Sequence, residues 1–517
     1  MPSVRFQSEG LTHGVMGKLP VLSVDWQAKE MRDPVNIFQN WSRARIYRWA
    51  ACFTFILLGP SVASAQNWGA PAWSDEFSGP PGTPIDTTKW SFDTGILNVN
   101  NEVEYYCAPG MTAGGCNSTQ PNAYIDGNDH LVIRALKLNA STTLYSRSWT
   151  SARMTTKGTK QFQYGRAEAK MMLPVGPEIW PAFWALGSNI STAGWPGCGE
   201  MDYLENVPAS AGQGPTKISS TIHGPGYFGA NGLSRQYTFP SGDVTGFHTY
   251  GAIWSPNMVQ FYVDNPANIF FVRTASDVPA SQTWVFNHPF FLLMNLALGG
   301  DGSWPGPTDT TTPNPAVMTV DYVRIYQAAA VPSPSMGNPP AISIKAGATT
   351  GNASTFSIGN AVGSGRVYLA CKTTAPNATC QVSTNDTLNA NTLDFSTSAT
   401  GMVTVKVLTT ANALVPPTSL WRRIYGVAQF VLLALLGVMA VRFAVKWRRT
   451  LRPADVLGTA LLAGSAILLG CAGGNSAMTP PGSGTTPGNY SIIVSAYTVS
   501  GDGANPDATA SVPLSVN

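Results

Sequence analysis

The chain has 517 residues, of which 44% are hydrophobic and only 11% charged, with a net charge of +3. That length exceeds one compact unit and fits two or three domains, while the sparse, balanced charge excludes the basic footprint of a nucleic-acid binder and an acidic solvating tail. The 51 glycines, 39 prolines and 10% aromatics point to turn-rich β structure.

From the start of the chain, Arg43, Arg45 and Arg48 precede the apolar run WAACFTFILLG, which ends in SVASAQ with small residues at Ala63 and Ala65. This is the layout of a secretory signal cut after Ala65. Residues 1–65 are therefore read as an N-terminal extension and signal peptide, with translation starting internally near Met31, and the protein as exported; a buried apolar helix is the alternative. Cysteines stand at 52, 107, 116, 198, 371, 380 and 471. In an oxidising compartment Cys107 with Cys116 and Cys371 with Cys380 could each close a short loop. No C-x-x-C spacing suggests a structural zinc.

Residues 66–330 carry short apolar runs (HLVIRAL, YGRAEAKMMLP, TYGAIWS, VQFYVD, FFLLMNLAL, VDYVRIYQ) separated by Gly, Pro, Asn and Asp clusters. Many short strands without helical periodicity predict an all-β sandwich or barrel. Residues 331–341, with VPSPSMGNPP, read as an extended linker. From 342 to 417 the composition shifts to Thr, Ser, Ala and Asn in alternating strands, which suggests a small immunoglobulin-like module.

Two apolar stretches follow, 424–441 and 456–472, each about the length a bilayer core requires. The loop between them, 442–455, holds Arg442, Lys446, Arg448, Arg449 and Arg452. The excess of basic residues there places the loop in the cytoplasm and both flanks outside. The expectation is a two-helix membrane hairpin interrupting the module, with residues 479–517 completing the sandwich on the outer side; a pair of soluble core helices is the alternative.

The stretch GCGEMDYLENV, 197–207, puts Glu200, Asp202 and Glu205 on what reads as a buried strand. Side chains alternate faces along a strand, so Glu200 and Asp202 share one face and Glu205, at an odd offset, should take the other. Retaining hydrolysis of a glycosidic bond needs a carboxylate nucleophile and a carboxylic acid about 5 Å apart on one groove. One extra residue, a β-bulge between Asp202 and Glu205, would restore the parity. By the same alternation Cys198 shares the face of Glu200, as a small residue at the cleft floor. An isolated E-x-D-x-x-E could equally be an exposed edge strand with solvated acids, but EIWPAFWALG upstream, TIHGPGYFG after it and LALGGDGSWPGP further on surround it with aromatics of the kind that stack on sugar rings.

Taken together, GEMDYLEN, WPAFWALG, HGPGY, LALGGDGSWPGP and VDYVRIYQ, with WSDEF and NNEVEYY near the start, resemble glycoside hydrolase family 16, specifically its laminarinase-like endo-β-1,3-glucanases, over residues 68–327. The resemblance implies a β-jelly-roll sandwich with a concave cleft, Glu200 as nucleophile, Glu205 as acid/base and Asp202 as their helper. It also implies substrate contacts from Trp180, Trp184, His223 and Trp304, and more loosely from Asn101, Glu102 and Arg153. No cofactor is required for the chemistry; a structural calcium on the convex side is implied, held by backbone oxygens near DEF and by the Asp of VDYVRIY, with Glu76 and Asp321 at those positions. The partner expected is a β-1,3-glucan, the protein being displayed extracellularly or in the periplasm through its membrane hairpin. The competing readings are hydrolysis or transglycosylation of another β-glycan (mixed-linkage glucan, agar), a non-catalytic glycan-binding protein, and an adhesin carrying an enzyme.

Overall fold

The computed structural model describes residues 68–139, 147–411, 484–501 and 505–517. Contacts divide the chain into Met1–Val62 and Ala63–Asn517. The signal segment, the two apolar stretches and the basic loop between them lie outside the described residues. Among the described residues no helix is long and apolar enough to cross a membrane.

Residues 68–326 form two opposed sheets, a jelly-roll-like all-β sandwich. The sheet that matters for function has seven strands: β1 (Ser91–Asp93), β2 (Arg153–Thr155), β3 (Ile179–Gly187), β4 (Glu200–Glu205), β5 (Lys217–His223), β6 (Leu233–Thr238) and β7 (Phe290–Leu298), in the spatial order β6-β5-β4-β3-β7-β2-β1. Its neighbours are antiparallel, so each strand presents alternate side chains to the core and to the cleft. The opposing sheet has ten strands, with Met258–Val263, His248–Ser255, Gly165–Met172 and Ala316–Tyr326 at its centre.

Between the sheets lies one apolar core that includes Trp149, Phe183, Tyr203, Trp254, Phe261 and Met294. Strand β7 shows why FFLLMNLAL lacks alternation: every residue of it is buried, one face by the core and the other by the cleft walls. Cys107–Cys116 and Cys371–Cys380 are disulfides, and Cys198 is a buried free thiol packed with Leu186, Phe291 and Leu293.

Residues 335–411 and 484–517 form a second, smaller two-sheet sandwich with its own core, including Phe356, Leu369, Phe395, Val405 and Val494. Gly488–Tyr497 and Ala508–Val516 pair with each other in the middle of one sheet, flanked by Arg366–Thr373 and Ile342–Ile344. The segment 331–341 is not the free spacer its prolines suggest. Ser335–Met336 pairs with Ile358 and Gly359, Met336 packs on the module's core, and the Val331 amide donates to Ser500 Oγ at 3.1 Å. Prolines are most readily accommodated on a short edge strand, which is what forms here.

Candidate active site

The odd spacing of the three acids is resolved in β4 by a local change of register. Against β3, Asp202 pairs with Trp184 and the next pair is Leu204 with Phe183; against β5, Asp202 pairs with Thr221 and Glu205 with Ser219. The extra residue falls between Asp202 and Glu205, as the offset predicts. Met201, Tyr203 and Leu204 all point into the core, where the Tyr203 ring meets Phe183 edge-on at 5.0 Å. Two consecutive inward side chains are the local signature of the bulge, and they return Glu205 to the face of Glu200. All three acids line one cavity of about 420 Å³, within the usual range for ligand pockets.

Each glutamate receives an indole N–H. Trp180 Nε1 donates to Glu205 Oε1 at 3.1 Å, and Trp195 Nε1 donates to Glu200 Oε2 at 2.9 Å. From β5, His223 is the direct cross-strand neighbour of Glu200, with its Nε2 3.2 Å from Asp202 Oδ2 and 3.8 Å from Glu200 Oε1. It stands beside the acids on the adjacent strand and is not among the residues that line the cavity. Burial is the first cause that pushes all three carboxyls up, to about 8 for Asp202 and for Glu205. The Asp202 charge adds to this for both glutamates, while His223 opposes it. Burial and the mutual repulsion of the carboxylates both favour protonated forms in this ladder.

The cavity extends from β4 across β3, β7 and β2. Trp184 donates to Asn295 Oδ1 at 2.8 Å, and Arg153 lies 4.6 Å over the Trp184 ring while its Nε donates to Asp93 Oδ2 at 2.9 Å. Asn295 continues through Tyr106 to Glu102: Asn295 Nδ2 donates to the Tyr106 hydroxyl at 3.3 Å, and that hydroxyl donates to Glu102 Oε2 at 3.0 Å. Glu104 is buried beside Glu102, and burial together with the Glu102 charge holds its carboxyl well above the ordinary range.

Of the expected contacts, Trp180, Trp184, Glu102 and Arg153 line the cavity. Trp304 stands at the rim, its ring edge-on to Trp180 at 5.7 Å. Asn101 does not line the cavity; it lies against Gly300 and Gly302, and its neighbour Asn100 faces the cavity and donates to Glu102 Oε1 at 3.2 Å. Successive left-handed residues, Asn100 at φ 52° and Asn101 at φ 57°, make this exchange, and residue spacing does not reveal it. Sequence reasoning also misses Trp195, Asp93 and Asn295. For Asn295 a signal exists: it is the one polar residue in the apolar run of β7.

The side chains of Glu76 and Asp321 do not fit as calcium ligands. Both Glu76 oxygens accept from Arg324, at 3.0 and 2.7 Å, and Asp321 Oδ2 pairs with Lys170 Nζ at 2.7 Å. Carboxylates neutralised by cations of the same sheet are poor donors to a hard divalent ion. Among the described residues the one group of three His, Cys, Asp or Glu side chains close enough to share a metal is Glu200, Asp202 and His223, whose ligand atoms lie within 4.8 Å of one another.

Fold and site are those of a glycoside hydrolase. Residues 118–324 match the model of glycosyl hydrolases family 16. The chain is 31% identical over 276 residues to a glucan endo-1,3-beta-glucosidase A1 of Niallia circulans, spanning 49% of this chain and 37% of that protein. It is 32% identical over 299 residues to a beta-glucanase of Rhodothermus marinus, spanning 55% of this chain and 96% of that protein. The solved catalytic domain of an endo-1,3-beta-glucanase (laminarinase) from Thermotoga petrophila RKU-1 is 35% identical and covers 52% of this chain and 100% of its own, with a TM-score of 0.44. The chain belongs to glycosyl hydrolases family 16.

Proposed function

We propose that the protein is a retaining endo-β-1,3-glucanase acting on laminarin-like glucan. The observation that carries this reading is the bulged strand that brings Glu200, Asp202 and Glu205 to one face of an aromatic cleft. In the first half-reaction the Glu200 carboxylate attacks the anomeric carbon as the glycosidic C–O bond breaks and the Glu205 carboxyl proton passes to the leaving oxygen. In the second half Glu205, now a carboxylate, takes a proton from water while the water oxygen attacks the anomeric carbon and Glu200 leaves. Burial favours the protonated Glu205 that the first step needs. The Trp195 N–H on Glu200 favours the ionised nucleophile, and Asp202 stands on the same face of the strand, between the two glutamates in sequence.

The names borne by two relatives, a glucan endo-1,3-beta-glucosidase and a beta-glucanase, support a β-glucan substrate. Reducing ends released by the full chain from laminarin, lichenan and agarose test it. Laminarin is expected to be cut fastest, and exclusive cleavage of agarose would overturn the β-1,3-glucan assignment.

The same reading takes the protein as exported and held at the membrane by residues 424–472, with the catalytic sandwich outside. The two disulfides support an oxidising compartment. Cell fractionation tests it: intact protein found wholly in the culture supernatant would contradict the anchor.

A further inference from the structure

Strand order makes the cleft asymmetric about its acids. The cavity residues Glu102, Arg153, Trp184 and Asn295 belong to β3, β7, β2 and the segment beside them, all on one side of β4. An enzyme that cuts within a chain must also hold sugars on the other side, over β5 and β6. There the concave face carries a second aromatic corner. Among the described residues only three tryptophan or phenylalanine side chains are exposed: Trp195 at 48%, Phe228 at 43% and Trp304 at 43%. Trp304 belongs to the Glu205 corner, edge-on to Trp180. The other two form the matching corner at Glu200, with Trp195 and Phe228 edge-on at 5.4 Å and 76°.

Resting on the reading of the cleft as a β-glucan site, we propose that Trp195, which lines the cavity at its Glu200 end, and Phe228, which stands beside it outside the cavity, form a sugar-binding platform that takes a pyranose ring of the glucan beyond the acids. Trp195 links this platform to the chemistry, because the indole that flanks Phe228 donates to Glu200. Phe228 is presented by a tightly built turn. The backbones of Gly224 and Tyr227 exchange two hydrogen bonds at 3.0 Å, the Tyr227 hydroxyl donates to Thr283 O at 3.0 Å, and Gln282 Nε2 donates to Gly226 O at 3.1 Å. Gly226 has φ 84°, a backbone conformation that favours glycine at that point of the turn. Two exposed aromatic rings at right angles on a fixed turn beside a nucleophile present an apolar face and an edge, which suits the apolar face of a β-linked glucose ring.

The test uses the full chain, β-1,3-glucan and a β-1,3-linked hexasaccharide labelled at its reducing end. Phe228→Ala is expected to lower kcat/KM on the polymer about three- to tenfold, mainly through KM, and to spread the cuts in the hexasaccharide towards its ends. Phe228→Trp, which keeps a ring, is expected to restore both. If Phe228→Ala keeps the wild-type KM and cutting pattern, or if Phe228→Trp is as impaired as Phe228→Ala, the platform is overturned and the hydrolase reading stands. If the wild-type chain cuts no β-glucan at all, the reading beneath the platform fails with it.

Discussion

Arg366 of the C-terminal module donates Nη1 to Gln260 Oε1 of the catalytic sandwich at 3.1 Å, and both residues are buried. The same guanidinium donates Nε to Asp386 Oδ2 at 2.6 Å and Nη2 to Asp394 Oδ2 at 2.9 Å. Around it, Asn389 donates to Asp277 at 2.7 Å, the Tyr368 and Ser276 hydroxyls lie 2.8 Å apart, and Tyr368 packs on Met258 and Val272. The module is thus cemented to the sheet opposite the cleft. Arg366→Ala leaves Asp386 buried without its cation, a loss on the order of 3–5 kcal/mol. Thermal unfolding of the full chain should show a clearly lower Tm for this variant, and truncation after residue 330 should do the same by exposing Met258 and Val272. An unchanged Tm in both would mean the two sandwiches do not support each other.

Glu200→Gln keeps the size of the proposed nucleophile and removes its charge. Hydrolysis of laminarin should fall by about a thousandfold or more, while binding of laminari-oligosaccharides, followed by calorimetry, should persist. Activity near the wild-type level in this variant would remove Glu200 from the chemistry and return the protein to the class of glycan binders.

The pH dependence of kcat/KM follows from the direction of the shifts. The proposed acid Glu205 works only while protonated, so activity should be lost as pH rises through about 8. The nucleophile Glu200 works only while ionised, and its raised value moves the acid limb above the ordinary carboxylate range. Because the Asp202 charge is the second cause of the Glu205 shift, Asp202→Asn should move the alkaline limb down. A profile flat to pH 9 would contradict a carboxylic acid in this role.

Stability should show the same protons. Asp202 and Glu205 bind a proton more tightly folded than unfolded, so their stabilisation is complete below their unfolded values near pH 4 and is lost as pH rises through about 8. The Tm should therefore decline between pH 5 and pH 9. Glu205→Gln should flatten that decline and raise Tm at pH 9 by about 5 °C. A Tm that climbs across this interval would show that the ladder is ionised in the folded state.

Glu200, Asp202 and His223 are also close enough to hold a divalent ion, which would occupy the proposed nucleophile. Exhaustive treatment with a chelator should leave the initial rate on laminarin unchanged. Loss of rate, restored by adding back a single metal, would assign these three residues to a metal instead.

What the sequence by itself determined is whatever depends on spacing along the chain. The odd offset of Glu205 requires a bulge if three acids are to share a face, because strand parity is a local rule, and the bulge is there. Two cysteine pairs close short loops because each pair lies nine positions apart and the chain can turn within that span. The tertiary structure decided which groups meet across strands. Sheet order and register put Trp195 on Glu200, join Asn295 to Trp184, hand Asn101's expected place to Asn100, and turn Glu76 and Asp321 towards Arg324 and Lys170. They also insert Gly488–Tyr497 and Ala508–Val516 into the middle of a sheet whose other strands lie more than 90 residues earlier. Period and offset say which face a side chain takes; only the pairing of distant strands says what stands opposite it.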